Sequence, residues 1–137
     1  LRRLPRERVS PVLARAGEDE DPEVLKAAVT AIGDLRPLQG VAWIGNVLKG
    51  SAPTEVKQSC CIALGKFDDE AVVPLLVGVM EGGRFLGLFG RKDDDVRASA
   101  AWALGHFRSP AAREALTRAL KDSSPSVRSS AKMGLKG

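Results

Sequence analysis

The chain has 137 residues, 44% of them hydrophobic and 28% charged, with a formal net charge of +4 at pH 7. That is enough apolar material for one folded unit with a buried core, and charged residues break every apolar run well before the roughly 18 residues of a membrane span. The only cysteines, Cys60 and Cys61, are neighbours in a helical stretch and point about 100° apart, so no internal disulfide is expected and a reducing, cytoplasmic compartment is.

The chain opens on Leu rather than Met, which suggests a piece of a longer protein, and no basic-then-apolar leader marks it for secretion. Residues 1–4 match the tail of a helix, because Leu1-x-x-Leu4 repeats as Ile32-x-x-Leu35 and a proline follows both. A second helix is predicted over 6–16, with Val9, Val12 and Leu13 apolar; Pro11 ends or kinks it unless it lies in the first turn. Asp21-Pro22-Glu23 is a helix start, with a capping Asp, a proline at the first position and an acid at the positive end of the dipole. The spacing predicts helices over 22–35 and 38–48, then 54–67 capped by Thr54, then 70–81. The last of these is so apolar that it must be buried on more than one side. A helix over 93–107 follows, then one opened by Ser109-Pro110 and one opened by Ser124-Pro125.

Alternate helices share one pattern. In 93–107, Val96, Ala100, Ala103, Leu104 and Phe107 stand at offsets 0, +4, +7, +8 and +11, one face of a 3.6-residue helix. The stripe recurs at Val24, Ala28, Ala31, Ile32 and Leu35, at Val56, Cys60, Ala63, Leu64 and Phe67, and at Val127, Ala131, Gly134 and Leu135. Its small members let neighbouring helices approach closely, and Cys60, in an Ala position, behaves as one more small hydrophobe. No helix pair covers its own apolar face, so each must stack on the next. Equivalent positions (Leu1, Ile32, Leu64, Leu104, Leu135) lie 31, 32, 40 and 31 residues apart, so one step carries eight or nine extra residues. The expected fold is an all-α, right-handed α-α superhelix of about four helix pairs. It forms one repeat domain over 1–137, with units near 5–35, 36–67, 68–107 and 108–137.

The runs Asp21-Pro22-Glu23-Val24…Ala27-Ala28…Ala31-Ile32-Gly33, Asp95-Val96-Arg97…Ala100-Ala101…Ala103-Leu104-Gly105 and Leu120-Lys121-Asp122…Pro125-Ser126-Val127-Arg128 resemble HEAT repeats. They are most similar to the short bacterial units first described around phycobilin lyases, and the resemblance covers essentially the whole chain. It implies a ladder of Asp and Arg between repeats, mapped onto Asp19, Arg97, Asp122 and Arg128; Ser51 and Arg91 stand at the Asp positions of the other copies. HEAT-like arrays serve mostly as interaction scaffolds, although some members are enzymes.

Chemistry-bearing motifs are scarce. HEAT-like hydroxylases carry His-Glu pairs after the Val-Arg of the repeat, where this chain has Lys26-Ala27, Gln58-Ser59, Ala98-Ser99 and Ser129-Ser130. The single histidine, His106, cannot build such a site and reads as structural or surface. No phosphate loop, Ser-His-Asp set or paired Cys ligands occur, so no catalytic residue, cofactor or metal is expected. Gly33, Gly65 and Gly105 recur at offset +9 and suit close backbone approach. Trp43 and Trp102 could form a stacking platform, but core or inter-repeat packing is the expectation, since Trp102 lies beside the stripe.

Charge is uneven: residues 1–83 hold 10 basic and 12 acidic side chains, residues 84–137 hold 11 and 5. The extra residues fall at 82–92, where Arg84, Phe85, Leu86, Leu88, Phe89, Arg91 and Lys92 combine apolar anchors with cations. Such an insertion is expected to be a loop, either folded back over a repeat edge or docking a protein partner. The expected function is therefore a non-enzymatic scaffold or adaptor binding a protein, with its open C-terminal end a candidate surface for self-association. The alternatives are a nucleic-acid-binding module using the basic half and a lyase-type enzyme subunit.

Overall fold

The computed structural model describes residues 21–86 and 94–136, with the side chains of all of these except 83–86. The helix tail at 1–4, the helix expected over 6–16, Asp19, Leu88, Phe89, Arg91 and Lys92 lie outside the described residues. The described residues form seven α-helices and no strand. The chain divides into two compact units, Leu1–Phe67 and Asp68–Gly137.

In the first unit, α1 (Pro22–Leu35), α2 (Gly40–Lys49) and α3 (Thr54–Gly65) pack against one another, with α1 lying chiefly along α3. Asp21 opens α1 as expected: its Oδ1 accepts from the Glu23 amide at 3.0 Å, with Pro22 in the first turn. The other end of α1 closes on Arg36 in the left-handed region (φ 50°), whose amide donates to the Ile32 carbonyl at 2.7 Å. Thr54 does not cap α3. It is already helical, and Pro53, with extended backbone and no side-chain cap, precedes it. A cap residue must keep a non-helical backbone, and here proline holds that position.

The first stripe also sits differently from its copies. Val24 and Leu35 are exposed, whereas Leu25, Ala28, Val29, Ile32 and Gly33 are buried. The buried side has turned by about one residue because α2 and α3 both meet α1 there. A Cβ on Gly33 would stand 2.9 Å from the Ala63 Cβ, and one on Gly40 would stand 2.9 Å from Ile32 Cγ2.

In the second unit, α4 (Val72–Leu86), α5 (Asp94–Leu104), α6 (Pro110–Ala119) and α7 (Pro125–Lys136) form the core, with α5 against both α4 and α7. The stripe residues Val96, Ala100, Ala103, Leu104, Phe107, Val127 and Ala131 are all buried. Val72, Val73, Leu76 and Met80 of α4 are buried too, as its composition requires. Each fully buried Val, Leu, Ile or Met contributes roughly 1.5–3 kcal/mol. One boundary differs from expectation: α4 continues to Leu86, so residues 82–86 are helical rather than loop. Two glycines cost a helix only about 1 kcal/mol each relative to Ala, and no proline interrupts 81–86.

Candidate functional site

The helix partners are aligned by the same register in both units. Counting from the first Val of each copy, position +9 of the earlier helix meets position +7 of the next. These are Gly33 against Ala63 in one unit and Gly105 against Gly134 in the other, where a Cβ on Gly105 would fall 2.7 Å from the Gly134 Cα. Backbones that close leave no freedom to slide, so slots of the same number are structural equivalents.

In the second unit the register is also held by charge. Arg97, only 6% exposed, donates from Nε to the Met80 carbonyl of α4 at 2.7 Å and from Nη1 to Asp94 at 3.3 Å. Its Nη2 meets the carboxylate of Asp122, itself 3% exposed, in the turn before α7. Asp122 Oδ1 then accepts from the Ser124 amide at 2.9 Å, and Ser124 Oγ accepts from the Val127 amide at 3.4 Å, capping α7. Arg128 Nη1 donates to the Asp122 backbone carbonyl at 2.7 Å. Arg97, Asp122 and Arg128, named by the ladder pattern, are thus brought together. In the first unit the Arg slot holds buried Leu25 and the Asp slot holds exposed Ser51, and no such ion pair forms there. Among the described residues no buried side-chain nitrogen or oxygen lacks a partner.

With α5 and α7 fixed side by side, their outward row is position +6. It carries Trp102, 45% exposed, and Met133, 63% exposed. The same position in the first unit carries Thr30 and Ile62, both exposed. The expectation that Trp102 packs in the core is therefore corrected. At offset +6 a side chain projects at about 240° from the stripe's first Val, away from the buried side, and the Trp102 ring meets that of His106 edge-on, with centroids 4.6 Å apart. His106 is exposed, as expected of a surface residue, and its Nδ1 lies 3.2 Å from the Ala103 carbonyl oxygen. Trp43 on α2 is half-buried. Aligned on the stripe, the sequence puts Thr30, Ile62, Trp102 and Met133 at one slot, but the outward direction of that slot was not legible because Thr, Ile, Trp and Met share no chemistry. The available signal was that large apolar residues recur at one slot outside the stripe.

Other chemistry is muted. Cys60 and Cys61 are buried thiols in no disulfide, and burial pushes both up to about 12, far from reactive thiolate. No cluster of three or more metal-ligating side chains occurs among the described residues. No helix among them is long and apolar enough to cross a membrane. Of the insertion residues, Arg84, Phe85 and Leu86 belong to the last turn of α4, and the others lie outside the described residues.

No curated protein matches the sequence at a significant level. The family model for HEAT repeats matches residues 9–84 and again 82–136. With one helix register repeated in both units and that match over nearly its whole length, the chain belongs to the HEAT-repeat family.

Proposed function

We propose that the chain is a non-enzymatic protein-interaction scaffold whose contact surface is the outward position +6 row of α5 and α7. The supporting observation is the exposure of Trp102 and Met133 at one register position, on helices whose other large apolar groups are mostly buried. Exposed aromatic and thioether side chains lose water on contact and dominate the energetics of protein interfaces. The same reading makes Arg84, Phe85, Leu86, Leu88, Phe89, Arg91 and Lys92 a second docking element. It makes the units kin to the short bacterial phycobilin-lyase type and places the protein in a bacterial cytoplasm, where thiols such as those of Cys60 and Cys61 persist outside disulfides.

The test is a photo-cross-linking residue at position 102, at position 85, or at exposed Thr117 on α6 as control, in the intact protein within its own cell. Adducts to a defined protein from 102 and 85 but not from 117 are expected. Equal adducts at all three, or none at 102, would retire the scaffold reading for this face.

A further inference from the structure

The two units dress the same row differently. In the first unit, the slots before and after position +6 carry opposite charges on opposite helices. Lys26 of α1 reaches Glu55 of α3 at 3.6 Å, and Lys66 of α3 reaches Asp34 of α1 at 2.9 Å. These pairs close the α1–α3 face on either side of Thr30 and Ile62. In the second unit, Ala98 stands in the slot of Lys26, Ser126 in that of Glu55 and His106 in that of Asp34. No ion pair crosses this face of α5 and α7 among the described residues.

One turn before Trp102 and Met133 on their own helices stand small residues, half-buried Ala98 and exposed Ser129. The charge lies at one margin. Lys132 and Lys136 flank Met133, both exposed and without an ion pair among the described residues. At the start of α5 the exposed Asp95 is the face's carboxylate. The excess of cations over the whole stretch, 11 basic to 5 acidic over residues 84–137, has the same sign.

Building on the scaffold reading, we propose that the α5–α7 face docks an acidic peptide segment with bulky apolar anchors. The anchors seat against Trp102 and Met133 over Ala98 and Ser129, and the segment's carboxylates face Lys132 and Lys136. The first unit's equivalent face, closed by its two ion pairs, does not take this ligand. Apolar contact supplies the affinity, and the lysines supply orientation and encounter rate. A phosphate backbone fits the face less well, because its centre is apolar and its cations sit to one side.

The experiment is selection of displayed random peptides against the full chain, followed by titration of the enriched peptides. Enriched sequences are expected to combine large apolar residues with an excess of Asp and Glu. Trp102→Ser with Met133→Ser should weaken their binding roughly tenfold or more, while Ile62→Ser leaves it unchanged. A second variant, Ala98→Lys with Ser126→Glu, rebuilds the first unit's ion pair on this face and should also abolish binding, with helicity and melting unaltered. No enrichment, enriched peptides that are basic, or binding indifferent to both variants would overturn the proposal. Oligonucleotide binding lost in the Trp102 variant would reassign the face to nucleic acid, and dimerisation lost in it would reassign the face to a second copy. Protein adducts from position 102 alongside basic peptides would sink this ligand class and leave the scaffold reading standing.

Discussion

At the scale of single residues, Arg97 and Asp122 have the most at stake. Both are almost completely buried, and each is the other's charge partner. Removing one strands a charge in a low-dielectric site, which costs about 3–5 kcal/mol. Removing both need not, because the first unit fills the same slots with Leu25 and Ser51. Arg97→Leu is therefore expected to lower stability by about 3–5 kcal/mol, and Arg97→Leu with Asp122→Ser to recover much of that loss. Urea unfolding of the two single variants and the double variant would check it, and additive losses would show that the pair is not coupled. The cysteines make a second prediction at this scale. Burial raises both thiols from 9.0 to about 12, so the folded state holds its protons where the unfolded state has lost them. Their contribution to stability is intact below about pH 9 and lost as pH rises from 9 towards 12. A Cys60→Ala, Cys61→Ala variant should show a shallower loss of stability over that range, and the native protein should react with thiol reagents only on unfolding.

At the scale of elements, helices of this kind are placed by what they lack. The α5–α7 crossing brings Gly105 within reach of the Gly134 backbone, and a Cβ there would stand 2.7 Å from the Gly134 Cα. Gly105→Ala must push the helices apart and should cost about 1–3 kcal/mol. Gly78 in α4 has nothing within 4 Å of a built Cβ, so Gly78→Ala there removes only unfolded-state entropy and should stabilise by about 0.5–1 kcal/mol. Thermal melts of the two variants are expected to move in opposite directions. Shifts of the same sign would contradict the close crossing. The same crossing sets the candidate site, because Trp102 lies on α5 one turn before Gly105 and Met133 immediately precedes Gly134.

At the scale of the whole molecule, charge is the discriminating property. The net charge of +4 is the sum of −2 over residues 1–83 and +6 over 84–137. Phosphate binding through the basic stretch would release counterions and fall steeply with salt. Much of that positive charge is already engaged: Arg97 with Asp94 and Asp122, Arg118 with Glu81 at 3.0 Å, and Arg113 and Arg128 on backbone carbonyls. Duplex DNA is therefore expected to show no retention at about 0.15 M salt. Tight binding with a steep salt slope, measured by fluorescence anisotropy, would favour the nucleic-acid alternative.

The sequence by itself determined the helical class, the repeat and the identity of most core residues. A 3.6-residue apolar period and small residues at fixed offsets leave a chain few other ways to bury its surface. The resemblance to HEAT repeats implied both members of the Arg97–Asp122 pair. The sequence did not determine which way a helix turns within its repeat. Val24 and Leu35 follow the stripe in sequence yet lie exposed, because the rotation of α1 is settled by α2 and α3 packing on its other side. Nor did it decide that Trp102 faces outward. An aromatic beside an apolar stripe satisfies a core and a surface equally well on a helical wheel, and only the neighbouring helices say which. The contrast between a face closed by Lys26–Glu55 and Lys66–Asp34 and one left open around Trp102 and Met133 is likewise tertiary. Charges 29 and 32 residues apart become partners only when α1 and α3 lie side by side.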